Sequence, residues 1–189
     1  DYATTNWTYE NGNIDEGVLF AIQCVISNLH VATTGSDSTG DGTYENPFAT
    51  IQKGVDAANS GDTVSVAVGI YEGGIVISNK ALSLIGESRE GTKINQPISS
   101  PQISIVYCQA GTTRVENFII KHGSSNNACG IYSSGSTVAI DNVDFEENSS
   151  SNNGAAIKSI ESTVKVQNSI FNLNTSNLLG GAIYVDPLT

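Results

Sequence analysis

From His30 onward the chain alternates short apolar runs with clusters of Asn, Gly and Ser. The pattern predicts strands over Thr63–Val68, Gly74–Ile77, Leu82–Ile85, Thr92–Ile94, Ile103–Val106 and Arg114–Ile120. These are too short for a sandwich series, and the residues between them lack two-residue hairpin signals. A repeat explains the spacing. Ser136–Asn148 and Ser162–Asn174 superimpose at an offset of 26 residues (162 − 136). The apolar columns Val138/Val164, Ile140/Val166 and Phe145/Phe171 share that offset, as do Asn142/Asn168 and Asn148/Asn174. Ile105, Ile131, Ile157 and Ile183 form a longer column at the same spacing. One turn earlier the offset is 25, with Val115, Asn117 and Ile120 beneath Ile140, Asn142 and Phe145. Short strands, steady turns and a period of this length predict a parallel β-solenoid with roughly three strands per coil. Like residues then stack about 4.8 Å apart and form ladders.

Two stretches break the pattern. His30–Thr34 reads as a strand, followed by the Gly/Ser/Asp loop 35–46 and an amphipathic helix over Pro47–Asn59. Phe48, Ile51, Val55 and Ala58 make its apolar face. Such a helix would cover the apolar end of the first coil. Residues 1–30 do not join the repeat. Gly17–Leu29 reads equally as a short helix or a buried strand, and residues 1–30, with their apolar run Val18–Ile26, would serve as an assembly or docking segment. The expected division is an N-terminal extension, 1–30, and a solenoid, 31–189. The chain starts at Asp1 and contains 0 Met, which fits removal of a leader or an excerpt of a longer protein.

Composition narrows the partners. Only 14% of residues are charged, the net charge is −11 and the pI is near 4.3. That balance excludes nucleic acid and anionic membranes and leaves divalent cations as a candidate. No apolar run is long enough to span a bilayer as a helix, so membrane insertion is not expected. Cys24, Cys108 and Cys129 lack metal-type spacing, and an odd number leaves at least one unpaired. Cys108 and Cys129 fall in neighbouring turns and would pair in a secreted protein; buried single thiols are the alternative. Asn6-Trp-Thr, Asn148-Ser-Ser and Asn174-Thr-Ser match the N-glycosylation pattern. Recurrence at the repeat period makes Asn148 and Asn174 ladder residues instead, leaving Asn6 as the better acceptor.

The stretch Thr34–Gln52, with Gly61-Asp-Thr-Val64, Gly69-Ile-Tyr71 and Leu82-Ser-Leu-Ile-Gly86, resembles the opening of secreted right-handed parallel β-helix proteins of the pectate-lyase-like superfamily. Phe145-Glu-Glu-Asn148, Phe171-Asn-Leu-Asn174 and Gly180-Gly-Ala-Ile183 resemble the F-x-x-N and G-G-A-I motifs of chlamydial polymorphic outer membrane proteins, and Gly154-Ala-Ala-Ile157 is a near match. The resemblance implies an all-β right-handed parallel β-helix with an N-terminal capping helix, located outside the cell or on its surface. The superfamily holds lyases, hydrolases, adhesins and fibres alike. Its polygalacturonase-type motifs are incomplete here, Lys121-His122-Gly123 being a fragment of one.

For an enzyme, the available groups are Glu116, stacked under Asp141 at offset 25, with Arg114 beside them. Two carboxylates one coil apart, roughly 5 Å, suit a shared cation or an acid and nucleophile pair. Neighbouring outward acids also arise by chance on an acidic protein. His30 and His122 have no partner at catalytic spacing. Asp37, Asp41 and Glu45 space oxygen ligands somewhat like a calcium loop, although Asp/Gly turns commonly occur without metal. No other cofactor is expected. The reading is a structural or adhesive module that self-associates head to tail or binds another surface protein or an extracellular polysaccharide. The alternative is a lyase or hydrolase acting on acidic polysaccharide.

Overall fold

A computed structural model describes residues 27–96, 106–125 and 130–186. The first coil holds β1 (Asn28–Val31) and the helix α1 (Ile51–Ala57). The second holds β2 (Thr63–Val66), β3 (Gly69–Glu72) and β4 (Ile75–Ser78), and the third β5 (Leu82–Gly86), β6 (Thr92–Asn95) and β7 (Val106–Gln109). Then come β8 (Thr112–Lys121), β9 (Ser124–Ser125) and β10 (Ile131–Ser134), followed by β11 (Thr137–Glu146), β12 (Ser149–Ser150) and β13 (Ile157–Ile160). The last described rung is β14 (Thr163–Gln167), β15 (Ile170–Asn172), β16 (Thr175–Ser176) and β17 (Ile183–Asp186).

Each strand pairs in parallel with its equivalent one coil away, which builds three sheets along one axis. This is the expected parallel β-solenoid. Its core is a set of columns. Val64, Leu84, Val115, Ile140 and Val166 are register partners in successive rungs, and the first four are buried. Tyr71, Ile94, Ile120, Phe145 and Phe171 form a second column. Each buried aliphatic side chain is worth about 1.5–3 kcal/mol relative to exposure. Val164, Val166 and Phe171, in the last described rung, are only partly buried.

One column differs from expectation. Val106, not Ile105, stands beneath Ile131, and Ile105 lies outside the described residues. The offset is 25 (131 − 106) and becomes 26 only at Ile131/Ile157. Ser125 and Ser150 are still 25 apart, so the added residue enters the turn between Ser150 and Ile157. Several strand limits also shift. β2 stops at Val66 and Gly69–Glu72 is a strand of its own. The expected Arg114–Ile120 run is the centre of the longer β8. β9, β12 and β16 are polar Ser/Thr pairs that no apolar pattern marks.

The corners explain how so short a chain winds so regularly. Asn117, Asn142 and Asn168 have φ of 62°, 54° and 49°, and each bends or divides the first-sheet strand of its rung. Asn79, Ala110, Gly135 and Glu161 take positive φ directly after β4, β7, β10 and β13, and His122, Glu147 and Leu173 do so at the third corner. One left-handed residue turns the chain without a long loop. Only at the first of these corners is every residue Asn, a type that tolerates that conformation well.

The N-terminal end is sealed by three devices. Helix α1 starts at Ile51 rather than Pro47, because Asp37 Oδ1 accepts the backbone N–H groups of Ala49 and Thr50 and its Oδ2 accepts the Thr50 hydroxyl. Thr50 is the N-cap and accepts the Lys53 N–H. Phe48 instead bridges Val31 in parallel, so that His30 and Ala32 exchange backbone hydrogen bonds with it along the outer edge of β1. The predicted apolar face, Phe48, Ile51, Val55 and Ala58, is buried. Gln52 completes the second sheet: its amide accepts from Val76 N–H at 2.7 Å and donates to Val76 O at 3.2 Å, as a strand residue would. Lys80 Nζ donates to Val55 O and Ala58 O at 2.8 Å, meeting carbonyls at the helix end.

Candidate ligand-binding surface

Outward positions of the first sheet line up as well. His30, Ser65, Ile85, Glu116, Asp141 and Gln167 are successive register partners, flanked by Ser83, Arg114, Ala139 and Lys165. The structure therefore brings Arg114, Glu116 and Asp141 onto one face. It also engages them. Arg114 pairs with the Glu116 carboxylate. Asp141 accepts from Asn168 Nδ2 at 2.8 Å and Gln167 Nε2 at 3.4 Å. A general base or a cation needs oxygens that donors do not already hold, and this strip offers a poor supply.

At the N-terminal end the strip deepens into a cleft of about 330 Å³. Its walls include Tyr44 and Pro47 of the loop, His30 of β1, Ile85 of β5 and Glu87, with Ser65 at its base. The His30 and Tyr44 rings meet edge to face at 5.4 Å, and Tyr44 remains 77% exposed. Glu87 Oε2 accepts the Val68 N–H at 2.9 Å, which fixes that carboxylate at the rim. His30, a histidine without a partner at catalytic spacing in the sequence, thus lines a cleft that the sequence pattern does not mark. The cleft is made by a loop folding back over three coils, a contact that no local pattern announces.

Asp37, Asp41 and Glu45 do not converge. Asp37 is committed to the helix start, Asp41 Oδ1 accepts from the Thr43 N–H and hydroxyl, and Glu45 is exposed. Among the described residues, no group of three or more His, Cys, Asp or Glu side chains is placed to hold a metal ion. Burial alone would raise the Asp37 carboxyl. The Thr50 hydroxyl, the N–H groups of Thr50 and Ala49 and the Lys53 charge outweigh it and hold the group below its usual 3.8.

Cys108 is a free, buried thiol, pushed up to about 12 by that burial against a hydrogen bond involving Thr113. The expected pairing falls on Cys129, which lies outside the described residues, and Cys108 itself is free. The side chain points into the core, where it stands in register with Ile77 and Ser133. Cys24, Cys129 and Asn6 lie outside the described residues.

The ladders are more informative. Phe145 and Phe171 stack at 5.1 Å and 6°. Asn148 is fully buried; its amide donates to Ile120 O at 3.1 Å and Asn174 Oδ1 at 2.9 Å, and its Oδ1 accepts the Gly123 N–H. Asn174 in turn donates to Phe145 O at 2.9 Å. Glycan attachment needs a free amide nitrogen, so Asn148 and Asn174 are spoken for by the ladder. Asn142 donates to Asn117 Oδ1 at 2.8 Å as expected, but Asn168 donates to Asp141 and not to Asn142. The Asn142 oxygen is taken by Arg89, which reaches across from the third coil and also pairs with Asp144.

Fold and columns define this chain as a parallel β-solenoid of stacked repeat coils. Two stretches, residues 142–159 and 168–186, match the Chlamydia polymorphic membrane protein repeat. The geometry explains the motif. In F-x-x-N the Phe stacks inward, the third residue (Glu147 or Leu173) turns at positive φ, and the Asn swings in to bond the preceding rung's carbonyl. Gly154 and Gly180 sit at φ 71° and 65°, and a Cβ there would meet the Ile157 or Ile183 carbonyl oxygen at 2.7 or 2.2 Å. Comparison with curated protein sequences gives no match. Among solved structures, a rhamnogalacturonan lyase is similar at 12% identity and a TM-score of 0.44, over 84% of this chain and 53% of the lyase chain. The chain thus spans about half of that protein's length. No argument about activity follows from a likeness of that size.

Proposed function

We propose that the chain is a surface-displayed structural and adhesive module and not a catalyst. The observation that carries this reading is the outer strip of the first sheet, where Arg114 and Glu116 hold each other in an ion pair and Asp141 is taken up by amide hydrogen bonds. The two matched repeats, known from Chlamydia polymorphic membrane proteins, support display at an outer membrane or cell surface. At the N-terminal end Phe48 already occupies the edge of β1 and Gln52 that of β4.

The test pairs two assays. Incubation with polygalacturonate and rhamnogalacturonan, with and without calcium, is expected to release no unsaturated or reducing ends. Labelling of intact producing cells with an antibody to the module is expected to be positive without permeabilisation. Product formation that Asp141→Asn abolishes contradicts the non-catalytic reading, and staining confined to permeabilised cells contradicts display.

A further inference from the structure

The cleft beneath the 42–47 loop has features that the structural role does not use. Tyr44 is the most exposed of the large apolar and aromatic residues described, and yet its ring packs at right angles against the His30 ring. A fixed exposed ring offers a flat apolar surface at low entropic cost. Beside it stand two hydrogen-bonding groups. Glu87 is anchored through one oxygen by the Val68 N–H. His30 contributes only its ring contact with Tyr44, and neither imidazole nitrogen is taken by a described residue. Ser65 lies in register between His30 and Ile85 at the base, its hydroxyl donating to Asn28 Oδ1 at 2.7 Å. The volume, about 330 Å³, is at the small end of ligand pockets, roughly 300–1,000 Å³.

A flat apolar face bordered by acceptors that can take hydroxyl protons is the chemistry that recognises a sugar ring. Charge selects among sugars. Glu87 lines the cleft, Asp141 lies farther along its column, and the chain carries −11 overall. A uronate carboxylate would meet repulsion here with no cation among the cleft-lining groups to offset it. We propose that this cleft binds an uncharged sugar unit of a glycan, packed on Tyr44 and hydrogen-bonded by Glu87 and His30. The inference rests on the adhesive reading and names its partner. It also runs opposite to the acidic polysaccharide expected of a lyase.

The experiment is calorimetric titration of the full chain with cellotetraose, xylotetraose, chitotetraose and tetragalacturonate, beside Tyr44→Ala and Glu87→Gln. At least one neutral tetrasaccharide is expected to bind, and Tyr44→Ala to weaken it tenfold or more with an unchanged circular dichroism spectrum. Tetragalacturonate is expected not to bind. Absence of binding by all three neutral sugars, or affinity indifferent to Tyr44→Ala, or preference for tetragalacturonate, overturns the proposal. Attachment of protein-coated beads to glycan-bearing cells is read separately. Attachment that survives both Tyr44→Ala and excess tetrasaccharide refutes the cleft and leaves adhesion standing. Sugar binding without attachment supports the cleft and refutes adhesion.

Discussion

Asn148 shows how much one side chain carries in a solenoid. It is fully buried and closes hydrogen bonds to the rung below, the rung above and the Gly123 backbone. Replacing it by Ala leaves a buried N–H and C=O without partners, at about 1–3 kcal/mol for each group. Asn148→Ala is therefore expected to lower unfolding stability by roughly 3 kcal/mol in urea denaturation. A loss below roughly 1 kcal/mol would mean the ladder contributes little. Asp37 gives a pH dependence. Its carboxyl is held below 3.8 in the folded chain, so protons bind the unfolded chain more readily. The stabilisation is complete above pH 3.8 and is lost as pH falls through the lower folded value. Acid unfolding followed by circular dichroism should show Asp37→Asn less stable than the parent at neutral pH, with the difference shrinking below that value.

At the scale of elements, legibility followed physics unevenly. Phe145/Phe171 and Val115/Ile140 were readable because an apolar column repeats its residue type whenever the rung repeats. Val106 was misplaced by one because Ile105 is equally apolar, and only the turn length between rungs distinguishes them. The left-handed corners at Ala110, Glu161 and Leu173 were invisible, since those residue types do not favour positive φ. Helix α1 was visible from its apolar face, but its start was set by Asp37, more than ten residues earlier, through a tertiary hydrogen bond. Gln52 was hidden for a related reason: an amide imitating a strand has no sequence signature. Gln52→Ala would leave the Val76 N–H and carbonyl unmet. Thermal unfolding should show it less stable by about 1 kcal/mol, and unchanged stability would mean water replaces the amide fully.

Across the whole molecule, the residues that hold rungs together also decide what the surface can do. Acids that might serve chemistry are drawn into ion pairs and amide contacts along the strip, while the loop sealing the first coil creates the cleft. The acidic strip was legible from spacing; the cleft was not, because it exists only once residues 42–47 fold over β1, β2 and β5. All of this depends on parallel stacking in the stated register. The direct measurement is disulfide trapping between rungs. Ala139 and Lys165 are outward register partners on β11 and β14, and neighbouring parallel strands lie within disulfide reach. The double variant Ala139→Cys/Lys165→Cys should oxidise rapidly to a cross-linked peptide seen by mass spectrometry. Ala139→Cys/Gln167→Cys, displaced by two residues, should not. Equal trapping in both, or trapping only in the second, would contradict the register and the surface built on it.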